Sequence, residues 1–377
     1  MIDINNYLKL MADKNASDLF FSSGAPVNIK IEGKTSPVGH NALEPGVVKQ
    51  IAYSIMNETQ IRTFETTLEM NLALSVPNVG RFRINVFRQR GELSMVVRYI
   101  KSHIPTIEEL NLPAILRQLV LAPRGLVLIV GATGSGKTTS LASMINYRNQ
   151  KMTGHILTIE DPMEFIHKNV KSIIDQREVG IDTLSYGNAL KNAMREAPDV
   201  ILIGEIRDRE TMQHAISYAE TGHLCLSTLH ANNAAQTLDR IINFFPESAH
   251  HQLLIDLSLN LKAVVSQRLV IGLDEKRLPA VEILLNTPYI AEIIQKGSFD
   301  RLTDVMEQSS ESGMQTFDQA LYQLYEDGKI STEEALRNAN SHNNLALRIN
   351  LAQGHNSNST SELSIEDDKA SDRRNLN

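Results

Sequence analysis

The chain has 377 residues, 42% hydrophobic and 21% charged, the make-up of a globular protein with room for two domains and a tail. Its 37 basic and 44 acidic residues leave a formal net charge of -7, which weighs against nucleic acid as the main partner. The single cysteine, Cys225 in the apolar run HLCLST, excludes an intrachain disulfide and reads as a buried, inert thiol of a cytosolic protein.

In chain order, Ile4, Leu8 and Met11 stand at helical spacing and predict a helix from Met1 to about Asn15. The start, MIDINNYLKLMADKNASDL, carries acidic residues where a signal peptide needs positive charge and an apolar block. No apolar run approaches the ~18 residues that span a bilayer. Direct membrane insertion is therefore not expected, and membrane association would come through protein partners. DLFFSS, GAP and VNIKI then predict strand, turn and strand over Asp18 to Ile31. A helical stretch is expected around Pro45 to Phe64, followed by strands RFRINVFRQ and LSMVVRYI joined at Arg90-Gly91-Glu92. Residues 1–103 thus form a small α+β unit, and 104–115, punctuated by Pro105 and Pro113, read as a linker.

From Leu116 short apolar strands alternate with helices: GLVLIV, HILTI, DVILIG and HLCLST. Strands apolar almost throughout and separated by helices predict a parallel sheet covered on both faces, an α/β unit over 116–350. Polar residues gather just after each strand, where ligands of such sheets sit. Helical patterns are expected from Pro246 to about Leu347. Residues 351–377, rich in Ser, Asn and Asp and without aromatics, predict a disordered tail.

Four motifs carry chemistry. GATGSGKT has P-loop spacing, with a buried strand before it and the helix TTSLASMINYR after it. Its glycines let successive N–H groups of Gly131, Ala132, Thr133, Gly134, Ser135 and Gly136 curl around phosphates, with Lys137, Thr138 and Thr139 opening the helix. Lys137 can reach the β- and γ-phosphates of ATP, and the Thr138 hydroxyl can ligate Mg2+. DVILIGEIRD places Glu205 at the tip of a strand expected to adjoin the P-loop strand, where a carboxylate binds magnesium or orients water. ILTIEDPMEF brings Glu160, Asp161 and Glu164 together. Glu164 is the first candidate for general base; for Glu160 and Asp161, further candidate magnesium ligands, a structural role such as helix capping fits as well as a catalytic one. In HLCLSTLHANN, His223 precedes the strand and His230 follows it. A histidine at the strand tip can sense the γ-phosphate, and a packed histidine fits both positions as well. His250 and His251 read as surface residues. In the N-terminal unit, Arg81, Arg83, Arg88, Arg90 and Arg98 form a set, with Arg81 and Arg83 on one strand face. An exposed strand face and an arginine supplied to a neighbour's nucleotide both fit.

These boxes in this order resemble the secretion-type ATPases of type IV pili and type II secretion, whose named boxes are Walker A, Asp, Walker B and His. GATGSGKT, ILTIEDPMEF, ILIGEIRD and STLHANN match them in turn, and the likeness runs from ASDLFFSSGAP to about Leu347. Within the family the chain resembles the PilT/PilU retraction branch. Assembly-type members have a four-cysteine zinc site, which a chain with only Cys225 cannot build, and longer N-terminal regions. AETGHLCLSTLHANNAAQTLDRIINFFPE and GMQTFDQALYQLYEDGKI look like the PilU group. TPYIAEIIQK departs from the PilT-like AIR-type motif, placing Ala291 or Glu292 at the arginine position, which puts unaided retraction in doubt.

The resemblance implies a RecA-like ATPase domain behind a PAS-like N-terminal domain. It further implies a homo-hexamer with ATP between subunits and Arg81, Arg83 and Arg98 acting on the nucleotide. Glu164 would be the base and Glu205 the Walker B carboxylate. The implied partners are a PilT-type paralogue and an inner-membrane pilus platform protein, at the cytoplasmic face of the inner membrane. Two other readings are a RecA-like DNA motor and a non-hydrolysing ring that couples PilT to the pilus machine.

Overall fold

The computed structural model describes residues 3–100, 103–309 and 313–352. The expected tail, 351–377, lies outside the described residues except for its first two positions, which end the last helix.

The N-terminal unit comprises α1 (Ile4–Asp13), β1 (Asp18–Ser22), β2 (Val27–Ile31), β3 (Lys34–Val38), α2 (Val47–Ser54), α3 (Glu58–Thr67), β4 (Glu69–Val76), β5 (Gly80–Gln89) and β6 (Glu92–Ile100). Its strands form an antiparallel sheet in the order β3-β2-β1-β6-β5-β4. Asp3 caps α1, and Ile4, Leu8 and Met11 are its buried stripe. The helical stretch expected over Pro45 to Phe64 is two helices. Asn57 opens the second with a capping box, exchanging side-chain and backbone bonds with Gln60. On β5, Phe82, Ile84 and Val86 are buried while Arg81 and Arg83 share the other face. Arg90 and Gly91, at φ 50° and 83°, make the two-residue turn to β6. The two edge strands, β3 and β4, were not expected: KTSPV is exposed throughout or nearly so, and neither alternates cleanly.

The second unit runs α4 (Ile115–Leu121), β7 (Gly125–Val130), α5 (Lys137–Lys151), β8 (Gly154–Glu160), β9 (Ser172–Glu178), α6 (Tyr186–Ala193), β10 (Val200–Ile203), α7 (Arg209–Glu220), β11 (Leu224–Leu229), α8 (Ala234–Asn243), α9 (His250–Asn260), β12 (Leu261–Ile271), β13 (Arg277–Leu285), α10 (Pro288–Lys296), α11 (Leu302–Gln308), α12 (Phe317–Glu326), α13 (Thr332–Asn338) and α14 (His342–Ala352). The sheet order is β13-β12-β7-β11-β10-β8-β9; all neighbours are parallel except the edge hairpin β12–β13. Every residue of β7, β10 and β11 is buried, because helices cover both faces. Leu126, Leu128 and Val130 face α6 to α9, whereas Val127 and Ile129 face α4 and α5. Ile107 and Leu112, from the segment expected as a linker, join the second of these clusters. A further cluster packs Phe317, Leu321, Ala335 and Leu345 against Val270 and Ala280 of the edge hairpin. Among the described residues no helix is long and apolar enough to cross a membrane.

Two expectations are corrected. The stretch from Pro246 to Leu347 is not helical throughout, since β12 and β13 interrupt it. The first follows α9 without a breaker and is buried on both faces, so its apolar run has no period that separates strand from helix. The strand leading to Glu205, β10, does not adjoin the P-loop strand; β11 lies between them. The carboxylate still arrives at the same end of the sheet because the three strands are parallel.

Asn149, fully buried on α5, ties the P-loop helix to the segment between β8 and β9. Its Nδ2 donates to the Lys168 carbonyl at 2.7 Å, and its Oδ1 accepts from Val170 and Ser172 N–H groups at 3.1 and 3.2 Å. Asn149→Ala strands these groups and is expected to cost roughly 2–4 kcal/mol in urea unfolding. A cost within experimental error of zero would show that the segment finds other partners.

Candidate active site

The loop between β7 and α5 is shaped by what surrounds it. Gly131 has φ 154°, and a Cβ there would lie 2.4 Å from the Gln267 carbonyl oxygen and 2.5 Å from Ser135 Oγ. Only glycine fits so close an approach. Lys137, the first residue of α5, is 9% exposed, and its Nζ donates to the carbonyls of Gly131 and Ala132 at 2.9 Å each. Burial lowers its pKa, while Glu205 and Glu164 oppose that shift.

At the strand ends a cavity joins Thr133, Gly134, Lys137 and Thr138 to Glu160, the last residue of β8, Asp161 and Glu164 beyond it, Glu205 after β10, Thr228 near the end of β11 and His230 just after it. All four motifs therefore meet in one place. Glu205 is held between Arg207 and His230: Arg207 Nε donates to its Oε2 at 2.7 Å, and His230 Nε2 lies 3.0 Å from its Oε1. Arg207 also stands 3.8 Å from Asp161. Its pKa is raised, first by the Glu205 hydrogen bond.

Glu160 differs from its neighbours. It is 8% exposed, and burial pushes its pKa up to about 7 against the hydrogen bonds from Thr158 Oγ1 at 2.8 Å and Gln176 Nε2 at 3.4 Å. The same Gln176 donates to the Phe165 carbonyl and accepts from the His167 N–H, so β9 fixes the segment carrying Glu164. No helix lies between Glu160 and β9, so neither Glu160 nor Asp161 caps one; the Asp161–Pro162 peptide is cis. His167 and Tyr186 also line the cavity.

Other expected residues lie elsewhere. Gly131 and Ala132 line a separate groove with Asn232 and Arg240, Ser135 is buried with an unpartnered hydroxyl, and Thr139 is not among the cavity's lining residues. His223 stands at the opposite end of β11, against Thr221 and the Tyr218 carbonyl. Cys225 is fully buried, and burial pushes its thiol pKa up. His250 bonds the Phe245 carbonyl. Arg81, Arg83 and Arg98 do not line the cavity. Arg98 Nε donates to Asp18 at 2.8 Å. Arg83 lines a cleft between the two units with Asp161, Pro162 and Glu178; Asp161 and Pro162 line the cavity as well, so cleft and cavity adjoin.

Sequence reading missed Arg207, Gln176, Tyr186 and His167. Arg207 lies inside GEIRD, two residues after Glu205, which was a usable signal. Gln176 comes from a strand that was not expected.

Thr138 and Glu205, one hydroxyl and one carboxylate in the same cavity, fit a magnesium ion completed by phosphate oxygens and water. Among the described residues no group of three or more His, Cys, Asp or Glu forms a cage of its own.

A mostly parallel sheet with this strand order, a P-loop after an inner strand and carboxylates at the ends of β8 and β10 defines a RecA-like P-loop ATPase. The chain belongs to the type II/IV secretion system protein family, whose model matches residues 1–349. It is 52% identical to the type IV pilus ATPase PilU of Pseudomonas aeruginosa, over 99% of this chain and 100% of that one. It is 41% identical to the type IV pilus retraction ATPase PilT of the same organism, over 90% and 98%. The crystal structure of the pilus retraction motor PilT with bound ADP superposes with a TM-score of 0.85 at 38% identity, covering 92% of this chain and 100% of that one.

Glu160 supplies a test of the site's electrostatics without nucleotide. The folded state holds its proton up to about pH 7, the unfolded chain only to about 4.5. Folded-state stability therefore falls as pH rises between those values, by up to about 3 kcal/mol. Glu160→Gln cannot ionise, so its stability relative to wild type should climb across that interval and level off above it. A difference that does not change with pH would contradict the assignment.

Proposed function

We propose that the chain is an ATP-hydrolysing motor of type IV pilus retraction, working as a homo-hexameric ring at the cytoplasmic face of the inner membrane. The observation that carries this reading is the meeting of the P-loop, Glu164, Glu205 and His230 in one cavity. Kinship with PilT and PilU supports the pilus as the machine acted on.

In this mechanism the loop N–H groups and the α5 N-terminus bind the β- and γ-phosphates of ATP. Lys137 exchanges its two carbonyl partners for phosphate oxygens and meets the charge that develops on the γ-phosphate. Thr138 and Glu205 would hold magnesium, which neutralises phosphate charge when bound; Glu160 and Asp161 line the same cavity and are further candidate ligands. Glu164 takes the proton of the water whose oxygen attacks the γ-phosphorus, while the bond from that phosphorus to the β–γ bridging oxygen breaks and ADP leaves with its electron pair. His230, beside Glu205, links the state of the γ-phosphate to the end of β11.

The N-terminal unit, 1–103, closes over the ATPase unit, 116–350, across the cleft that Arg83 shares with Asp161 and Glu178. Closure brings Arg81 and Arg83 to the nucleotide, where arginines offset transition-state charge. Arg98 would have to give up Asp18 to join them. Repeated closure and opening turns the inner-membrane platform protein and draws pilin subunits back, together with the PilT paralogue.

A second reading is a ring that couples PilT to the machine without hydrolysing ATP; Ala291 or Glu292 on α10, at the arginine position of the PilT-like motif, bears on unaided retraction, whereas the carboxylates Glu164 and Glu205 in the cavity speak against this ring. The two readings separate experimentally. Glu164→Gln and Glu205→Gln should each bind ATP yet hydrolyse it about 10²–10⁴-fold more slowly. A strain carrying only the Glu205→Gln form should lose twitching to the same extent as a deletion. Full motility in that strain would favour the coupling ring, and wild-type turnover in both purified variants would place the catalytic carboxylate elsewhere.

A further inference from the structure

Gln267 is 3% exposed on β12, the parallel neighbour of the P-loop strand. Its predecessor Ser266 pairs with Val130, so Gln267 stands beside the point where the loop leaves the sheet. The side chain then reaches across the loop. Its Nε2 donates to the Ser135 carbonyl at 2.8 Å, and its Oε1 accepts from the Ser140 hydroxyl of α5 at 2.8 Å. Ser135 offers only a carbonyl there, so the amide must present its NH2 to the loop and its oxygen to Ser140.

We propose that Gln267 is a positioning residue of the phosphate site, holding the Ser135–Gly136 peptide so that the Gly136 N–H faces the phosphates. A trans peptide directs its C=O and N–H to opposite sides. Pinning the Ser135 oxygen toward β12 turns the Gly136 N–H away from it, into the curl of the loop where an anion binds. Gly136 itself records how tightly the amide is set. Its φ of 89° favours glycine, and a Cβ there would lie 2.9 Å from Gln267 Nε2, so a larger residue would also press on the amide. Lys137 ties the carbonyls of Gly131 and Ala132 at one end of the loop. Gln267 ties the other end to a different strand.

The inference rests on the reading that the P-loop holds nucleotide phosphates. Because the loop grips phosphates that ADP and ATP share, loss of the bond weakens both, and the effect falls on binding rather than on the chemical step. The test uses the full chain, with ADP binding by calorimetry, turnover at saturating ATP, and the melting temperature without nucleotide. Gln267→Met keeps length and removes the donor; Gln267→Glu keeps shape and sets a carboxylate against a carbonyl. Both should raise the ADP Kd at least about tenfold with turnover at saturation within about threefold. Ser140→Ala, which frees the amide to turn, should raise the Kd by a smaller factor. An unchanged Kd in a folded Gln267→Met or Gln267→Glu overturns the proposal. Should neither fold, an unchanged Kd in Ser140→Ala overturns it. Failure of the wild-type chain to bind ADP would instead overturn the phosphate-site reading itself.

Discussion

A buried ammonium organises the site. Lys137 begins α5 in a position nearly closed to solvent, and an unpaired charge there would be costly. Its two bonds to the carbonyls of Gly131 and Ala132 satisfy it by curling the chain back on itself. That curl requires glycine where the loop passes Gln267 and Ser135, a rigid strand behind it and a helix in front. β7 supplies the strand, buried along its whole length, and β11 and β12 brace it on either side. The same curl is closed by a bond from the Ser135 N–H to the Ala132 carbonyl at 3.2 Å.

The carboxylates around this cation are kept distinct by their surroundings. Glu205 sits between Arg207 and His230 and shares the field of Lys137. Glu160, one strand away, is buried among weaker partners and keeps its proton to about pH 7. Below that pH the proton on Glu160 relieves like-charge repulsion among the clustered acids. Gln176 keeps the acidic segment in place through its bonds to Glu160, Phe165 and His167.

Much of this was legible in the sequence where one stretch of chain contains its own explanation. GATGSGKT, with a buried strand before it and a helix after it, specifies a curl by local conformation alone. GLVLIV, HILTI, DVILIG and HLCLST announce buried strands because helices cover both faces. The relations between distant segments were not legible. β12 carries an apolar run without period and follows a helix without a breaker, and nothing in LKAVVSQRLVI shows that its glutamine reaches the P-loop. The order that puts β11 between β7 and β10 comes from crossovers, which leave no local mark. The arginines of β5 were readable as sharing one face, but the Asp18 partner of Arg98, eighty residues away, was not.

Every role proposed for the cavity depends on the cation at the head of α5. Phosphate release by the purified full chain, compared with its Lys137→Ala variant at matched protein concentration and saturating ATP and magnesium, tests it most directly. The account predicts turnover by the wild type and none above background in the variant, with the variant folded by circular dichroism. Near wild-type release by Lys137→Ala would contradict it.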